Sequence, residues 1–163
     1  TKLKIISDLS QSIGFNGMVG GQMMDLISEG RYNQFSPDEN YIIQTQKLKT
    51  GALITFSLKA GGLIGGASKE ELIILEKFGE KIGLAFQIID DILDCTSSEN
   101  ELGKSVDADI KLGKTTFVTL LGLQESKNKV KKLIQEAKIE ISKISKDVEK
   151  LIMLAEFVEY RKN

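Results

Sequence analysis

The sequence predicts an all-α chain. Apolar residues recur at helical spacing almost throughout, and no stretch alternates apolar and polar residues long enough to make a strand. Two serine-to-glutamate capping boxes mark helix starts at Ser36 and Ser68, and glycine-rich or polar stretches fall where the links of a bundle belong.

Taken in order, the first helical segment runs from about Ile5 to Glu29, opens without a cap and reads as the middle of something larger. A break near Gly30 leads to Ser36-Pro37-Asp38-Glu39, with proline at the first helical position. The apolar run from 51 to 67, "GALITFSLKAGGLIGGA", carries Lys59, is rich in glycine and falls short of the roughly 20 apolar residues of a membrane span, so it reads as a core helix with close neighbours. A helix follows Ser68, then breaks at Ser97 to Lys114 and at Ser126 to Asn128. The last segment, from about Lys146 to Tyr160, ends in the polar tail Arg161-Lys162-Asn163. No repeat or interdomain linker is present, and 163 residues suit one domain or most of one.

Composition narrows the chemistry. Lys and Arg number 22 against 23 Asp and Glu, a net charge of -1, which argues against a nucleic-acid or anionic-membrane surface. The chain has no histidine and a single cysteine, Cys95. Histidine triads, histidine-ligated metals, disulfides within the chain and cysteine zinc clusters are therefore excluded, and a reducing cytoplasm is expected. A metal here has to be held by oxygen, which points to magnesium or calcium.

The most informative stretch is "FQIIDDILD", residues 86 to 94. At about 100° per residue, Gln87, Asp90, Asp91 and Asp94 share one sector with Gly83, while Ile82, Phe86, Ile89 and Leu93 face away. A solvated acidic face is the ordinary explanation of such a row. Against it stand the i,i+4 repulsion of like charges, the helix C-terminal end expected here, and the lack of any lysine between 82 and 103. The row suits a cation, and Mg²⁺ bound through one or two carboxylates, water and a substrate phosphate fits it. An EF-hand does not, for want of alternating oxygen ligands and a central glycine.

The next loop, "ENELGKSVDADIKLGKTT", brings Lys104 and Lys114. A phosphate-binding loop would need glycine at 98 or 108, where Ser98 and Ala108 stand. Both lysines can still neutralise a diphosphate. Two further polar insertions interrupt apolar helices: "GGQMMDL" sets Gln22 and Asp25 on one face with Gly21 beside them, and "LKTGAL" sets Lys49 and Thr50 ahead of a buried run. Jointly these describe a polar-ended cavity inside a bundle.

"GGQMMDL", "KTGAL", "GLAFQIIDDILD", "LGKSVDAD" and "LGKTT", in this order, resemble the C-terminal half of trans-polyprenyl diphosphate synthases of the farnesyl (geranyltranstransferase) and geranylgeranyl type. The likeness covers essentially 1–163, as the C-terminal part of one synthase domain. It implies an isoprenoid-synthase helical bundle, Mg²⁺, a homodimer, and condensation of isopentenyl diphosphate with an allylic diphosphate. "DDILD" then matches the family's second aspartate-rich motif, with Asp90 and Asp94 at the metal and Asp91 a less direct ligand. The resemblance also implies that Lys104 and Lys114 contact the allylic diphosphate with Asp109 nearby, and that Lys49, Thr50 and Gln87 line the reacting carbons. Gln22 and Asp25 would form the cavity wall, and Arg161 and Lys162 would lie near the isopentenyl diphosphate. The family's first aspartate-rich motif has no counterpart in these residues, so half an active site is expected, inactive alone. A noncatalytic partner subunit is the alternative. A terpene cyclase is disfavoured by Asp94 and Ser98, where its second metal motif wants serine or threonine and glutamate.

Overall fold

A computed structural model describes residues 1–28, 36–102 and 115–161, without the side chains of 97–102. Among these the secondary structure is entirely helical, as the spacing predicts. The elements are α1 (Lys2–Ile13), α2 (Met18–Ser28), α3 (Glu39–Gln46), a π-helical turn (Lys47–Gly51), α4 (Ala52–Ile64), α5 (Lys69–Leu102), α6 (Phe117–Leu121), α7 (Leu123–Ile141) and α8 (Glu149–Tyr160). No helix among the described residues is long and apolar enough to cross a membrane.

Helix α5 is the axis of the bundle, flanked by α4 and α7, with α6 and α8 closing beside it. Its apolar row Leu75, Phe78, Ile82, Ala85, Ile89 and Ile92 advances by three and four residues, which keeps one stripe against the core. Val130, Ile134, Ala137 and Ile141 supply the facing stripe of α7, and Ala155 and Val158 that of α8. Phe78, Ile88, Phe117, Ile134 and Ile141 are fully buried. Each contributes roughly 1.5–3 kcal/mol by leaving water.

On its other side α5 meets α4 through glycine. A Cβ on Gly83 would lie 2.8 Å from Gly51 Cα, and one on Gly79 2.8 Å from Thr55 Cα. Both obstacles are backbone, so the two helices hold this separation only with glycine there. The apolar run at 51–67 is therefore a close neighbour of α5 and not the core helix the sequence suggests: α4 ends at Ile64, none of its residues is buried, and Lys59 pairs with Glu76 at 2.7 Å.

Several boundaries differ from the sequence reading, each for a local reason. Residues 5 to 29 are not one helix: α1 stops at Ile13 and α2 begins at Met18, divided at Gly14 to Gly17. The cap of α3 is Asp38, whose carboxylate accepts from Tyr41 N–H at 2.8 Å, so Ser36 and Pro37 lie outside the helix. Ser68 does form its capping box, accepting from Glu71 N–H at 3.1 Å while Glu71 accepts from Ser68 N–H at 2.7 Å. Helix α5 continues past Ser97 to Leu102. The break read at Ser126 to Asn128 falls instead at Gly122, whose φ of +80° suits glycine, and Ser126 is a buried residue of α7 donating back to Gly122 O. The expected break at Gly30 lies outside the described residues.

We expect Gly83→Ala to lower stability by about 1–3 kcal/mol, the cost of forcing apart a packed helix pair. Urea unfolding followed by circular dichroism measures it; Gly61→Ala, where an added Cβ meets nothing within 4 Å, is the control and should be neutral or stabilising.

Candidate functional site

The site grows from the π turn. Inserting it between α3 and α4 loosens the local helical ladder and carries Lys49 and Thr50 on the widened turn. Helix α2 lies against this turn so closely that a Cβ on Gly21 would come within 2.2 Å of Lys49 N. One helical turn after Gly21, Asp25 faces Lys49, and their side chains pair at 2.6 Å. The Asp25 carboxylate is 7% exposed and Lys49 29%, so the acid is inside the protein and the amine reaches toward its edge.

The surroundings hold Asp25 in place. Ser28 donates to Asp25 O at 2.7 Å, and the Tyr41 hydroxyl donates to Met24 O at 2.9 Å, tying α3 to α2. Burial, followed by the charge of Asp25, pushes the Tyr41 phenol above its ordinary pKa of 10.0.

Beside this pair, Thr50 Oγ1 donates to Gln87 Oε1 at 3.0 Å. The Gly51–Gly83 contact makes that bond possible, because Gln87 stands one turn beyond Gly83 on the same row of α5. A side-chain amide oxygen has two lone pairs, so Gln87 keeps one acceptor site and its NH₂ group for another partner. Predicted site residues from α2, the π turn and α5 are therefore brought together in two bonded pairs, Asp25–Lys49 and Thr50–Gln87.

One turn further along α5 the three aspartates separate. Asp91 is buried and accepts from Phe117 N–H at 3.0 Å, fastening the start of α6 to α5. Thr116 caps the same end by a box with Thr119. Asp90, 36% exposed, pairs with the Arg161 guanidinium, which lies over the Phe86 ring at 4.0 Å. Burial lowers the arginine's pKa below its ordinary value. Asp94 is exposed.

The sequence leads one to expect the acids at a helix end, where the dipole opposes them. The structure corrects this: α5 runs on two further turns to Leu102, beyond the reach of that effect. Gln22 is exposed on α2. Lys104, Asp109, Lys114 and Lys162 lie outside the described residues. The Phe86–Arg161 stack escaped the sequence reading, since an aromatic in an apolar row reads as core. Its only signal was an arginine close behind a terminal helix.

The donor set can be tested against a divalent cation. Among the described residues no group of three or more acidic, cysteine or histidine side chains gathers as an all-protein metal cage. Asp90 and Asp94, one turn apart, the first partly covered by Arg161 and the second exposed, fit the other mode, in which one or two carboxylates hold a hydrated Mg²⁺ completed by substrate oxygens. A cleft of about 670 Å³ opens beside the π turn between α1, α3, α4 and α5, lined by Lys47, Gly51, Thr55, Glu76 and Glu80 among others, but by none of Lys49, Thr50 and Gln87.

Comparison with known proteins gives the family and the fold. Residues 2–154 match the Polyprenyl synthetase family model. Geranylgeranyl diphosphate synthase of Cyanophora paradoxa is 38% identical over 161 residues, 99% of this chain and 53% of that protein. An FPP/GFPP synthase from Zymomonas mobilis superimposes with a TM-score of 0.81 at 33% identity, covering 96% of this chain and 50% of that one. Geranyltransferase from Helicobacter pylori, solved with magnesium and isoprenyl diphosphate, gives a TM-score of 0.74 at 31% identity over 96% of this chain and 50% of its own. The helical fold is that of an all-α isoprenoid-synthase bundle. The chain belongs to the polyprenyl synthetase family, and it spans about half the length of the relatives it matches.

Two consequences can be measured. Asp25→Asn should cost about 1–3 kcal/mol in urea unfolding, because Lys49 loses its charged partner while still partly shielded from water. Tyr41 favours its protonated form more when folded than when unfolded, so its contribution is complete below pH 10.0 and declines as pH rises through the raised folded value. Tyr41→Phe should flatten that alkaline fall, read from unfolding curves between about pH 9 and 11.

Proposed function

We propose that this chain is the C-terminal part of a single synthase domain that condenses isopentenyl diphosphate with an allylic diphosphate to give a short-chain prenyl diphosphate. The observation that carries the reading is the meeting of Lys49, Thr50 and Gln87 at the π turn, beside Asp90 and Asp94 on the same helix. Family membership supports it, and so do the relatives' names.

Asp90 and Asp94 would hold Mg²⁺, which when bound supplies positive charge to the departing diphosphate. Lys104 and Lys114, with Asp109 nearby, would add fixed charge at that anion, and Arg161 would serve the isopentenyl diphosphate. Asp25 fixes the direction of the Lys49 side chain. The carbonyl dipole of Thr50 and the free lone pair of Gln87 Oε1 face positive charge developing on the allylic carbons without attacking it. Gln22 belongs to the cavity wall. The isopentenyl double bond is the nucleophile, so no protein nucleophile or histidine is needed, and the released diphosphate can take the proton. Asp91 is the least suited to a metal, since the Phe117 amide already engages it. We further propose a cytoplasmic homodimer, and a segment of 163 residues that does not turn over alone because it carries one acidic cluster where ionisation calls for two.

In the complete enzyme, Lys104→Ala or Lys114→Ala should lower kcat on the order of 10²-fold with little change in stability, by analogy with loss of one electrostatic donor. Incorporation of radiolabelled isopentenyl diphosphate into acid-labile product measures it, and wild-type rates in both variants would remove the diphosphate assignment. Asp90→Asn with Asp94→Asn should abolish Mg²⁺-dependent binding of an allylic diphosphate in calorimetry while leaving helicity intact.

A further inference from the structure

Beyond Tyr160 the chain leaves α8 with ψ of 135° at Arg161, and the side chain turns back onto α5. Its guanidinium pairs with Asp90, lies flat over Phe86 at 4.0 Å and is 18% exposed. Within this enclosure Nε is buried and has no hydrogen-bond partner among the described residues. The arginine is therefore held by two contacts and left incomplete in a third. An arginine placed for structure alone normally uses its whole fork, since a buried donor without a partner is costly.

The other side of the pair is equally telling. Asp90 belongs to a row with no lysine between 82 and 103, so its neutralising cation comes from the far end of the sequence. Asp94, one turn on, remains exposed. With Arg161 in place, the charge that Asp90 and Asp94 offer an incoming cation falls from two to one, and part of the Asp90 oxygen surface is covered.

We propose that Arg161 is the resident counter-cation of Asp90 and competes with a divalent metal for it. The metal-free protein keeps the guanidinium on Asp90. A cation entering at Asp90 and Asp94 displaces it, and the freed side chain, with Nε available, turns to an anionic oxygen such as that of a diphosphate. This rests on the metal reading above and adds an order to it: cation entry precedes the use of Arg161 by an anion.

The test is Mn²⁺ titration of the complete protein followed by the loss of the free-ion electron paramagnetic resonance signal, at low ionic strength and without substrate. Arg161→Gln should bind Mn²⁺ roughly three- to tenfold more tightly than wild type, the range expected for losing an exposed ion pair plus a cation–aromatic contact. Phe86→Leu, which leaves the guanidinium but removes its platform, should move affinity in the same direction by less. Circular dichroism confirms that each variant is folded. Equal or weaker Mn²⁺ binding in Arg161→Gln overturns the competition while leaving the carboxylates as ligands. Absence of binding in every form overturns the metal reading and the competition together.

Discussion

The contact between Gly51 and Gly83 is the constraint on which the site depends. With backbone lying where a Cβ on Gly83 would need to be, the π turn and α5 touch almost main chain to main chain, and Gly79 repeats the arrangement against Thr55. Gly21 does the same for α2 against Lys49. Helical glycines are each destabilising by roughly 0.5–1 kcal/mol relative to alanine. The bundle accepts that cost because close backbones bring the short side chains of Thr50 and Asp25 within reach of Gln87 and Lys49. The precision of the site is thus a property of where side chains are missing.

Four aspartates near this contact have four different fates. Asp25 is enclosed with an ammonium, Asp91 with a backbone amide, Asp90 shares a guanidinium, and Asp94 stays in water. An aspartate taken from water has to be met by something, and the depth of each acid matches the permanence of its partner. The deeper two are committed to holding α2 and α6 in place. The shallower two retain the freedom to exchange partners.

The fold class and the clustering of chemistry were legible in the sequence because both follow from helical periodicity. The positions of Gln87, Asp90 and Asp94 on one sector, and the odd placement of Asp25 and Lys49 in apolar surroundings, needed nothing but 3.6 residues per turn and the cost of buried charge. Their pairing was not legible, because it depends on how α2 crosses the π turn, and that crossing is set by Gly21. Asp91 was grouped with its neighbours for the same reason: spacing cannot tell that Phe117, 26 positions later, returns with an unmet amide. Boundaries failed where one polar residue competes with another. Ser36 and Asp38 both offer a cap, and only the register of Tyr41 chooses between them. Ser126 looks like a loop residue until its hydroxyl finds a carbonyl one turn back.

The π turn also changes how α3 and α4 relate. From Glu39 to Ile64 the chain is one continuous rod, since the residues flanking Lys47–Gly51 keep right-handed helical angles. A wide turn in such a rod acts as one surplus residue and shifts the helical phase by about 100°. Both ends of the rod meet α5, with Ile42 of α3 joining the core that α5 anchors and α4 packing along α5 at its glycines. Deleting a single residue between 47 and 51 would restore an unbroken α-helix and rotate one half against the other. Length at this point, more than the identity of any side chain, keeps both ends of the rod in phase with the helix they share, α5.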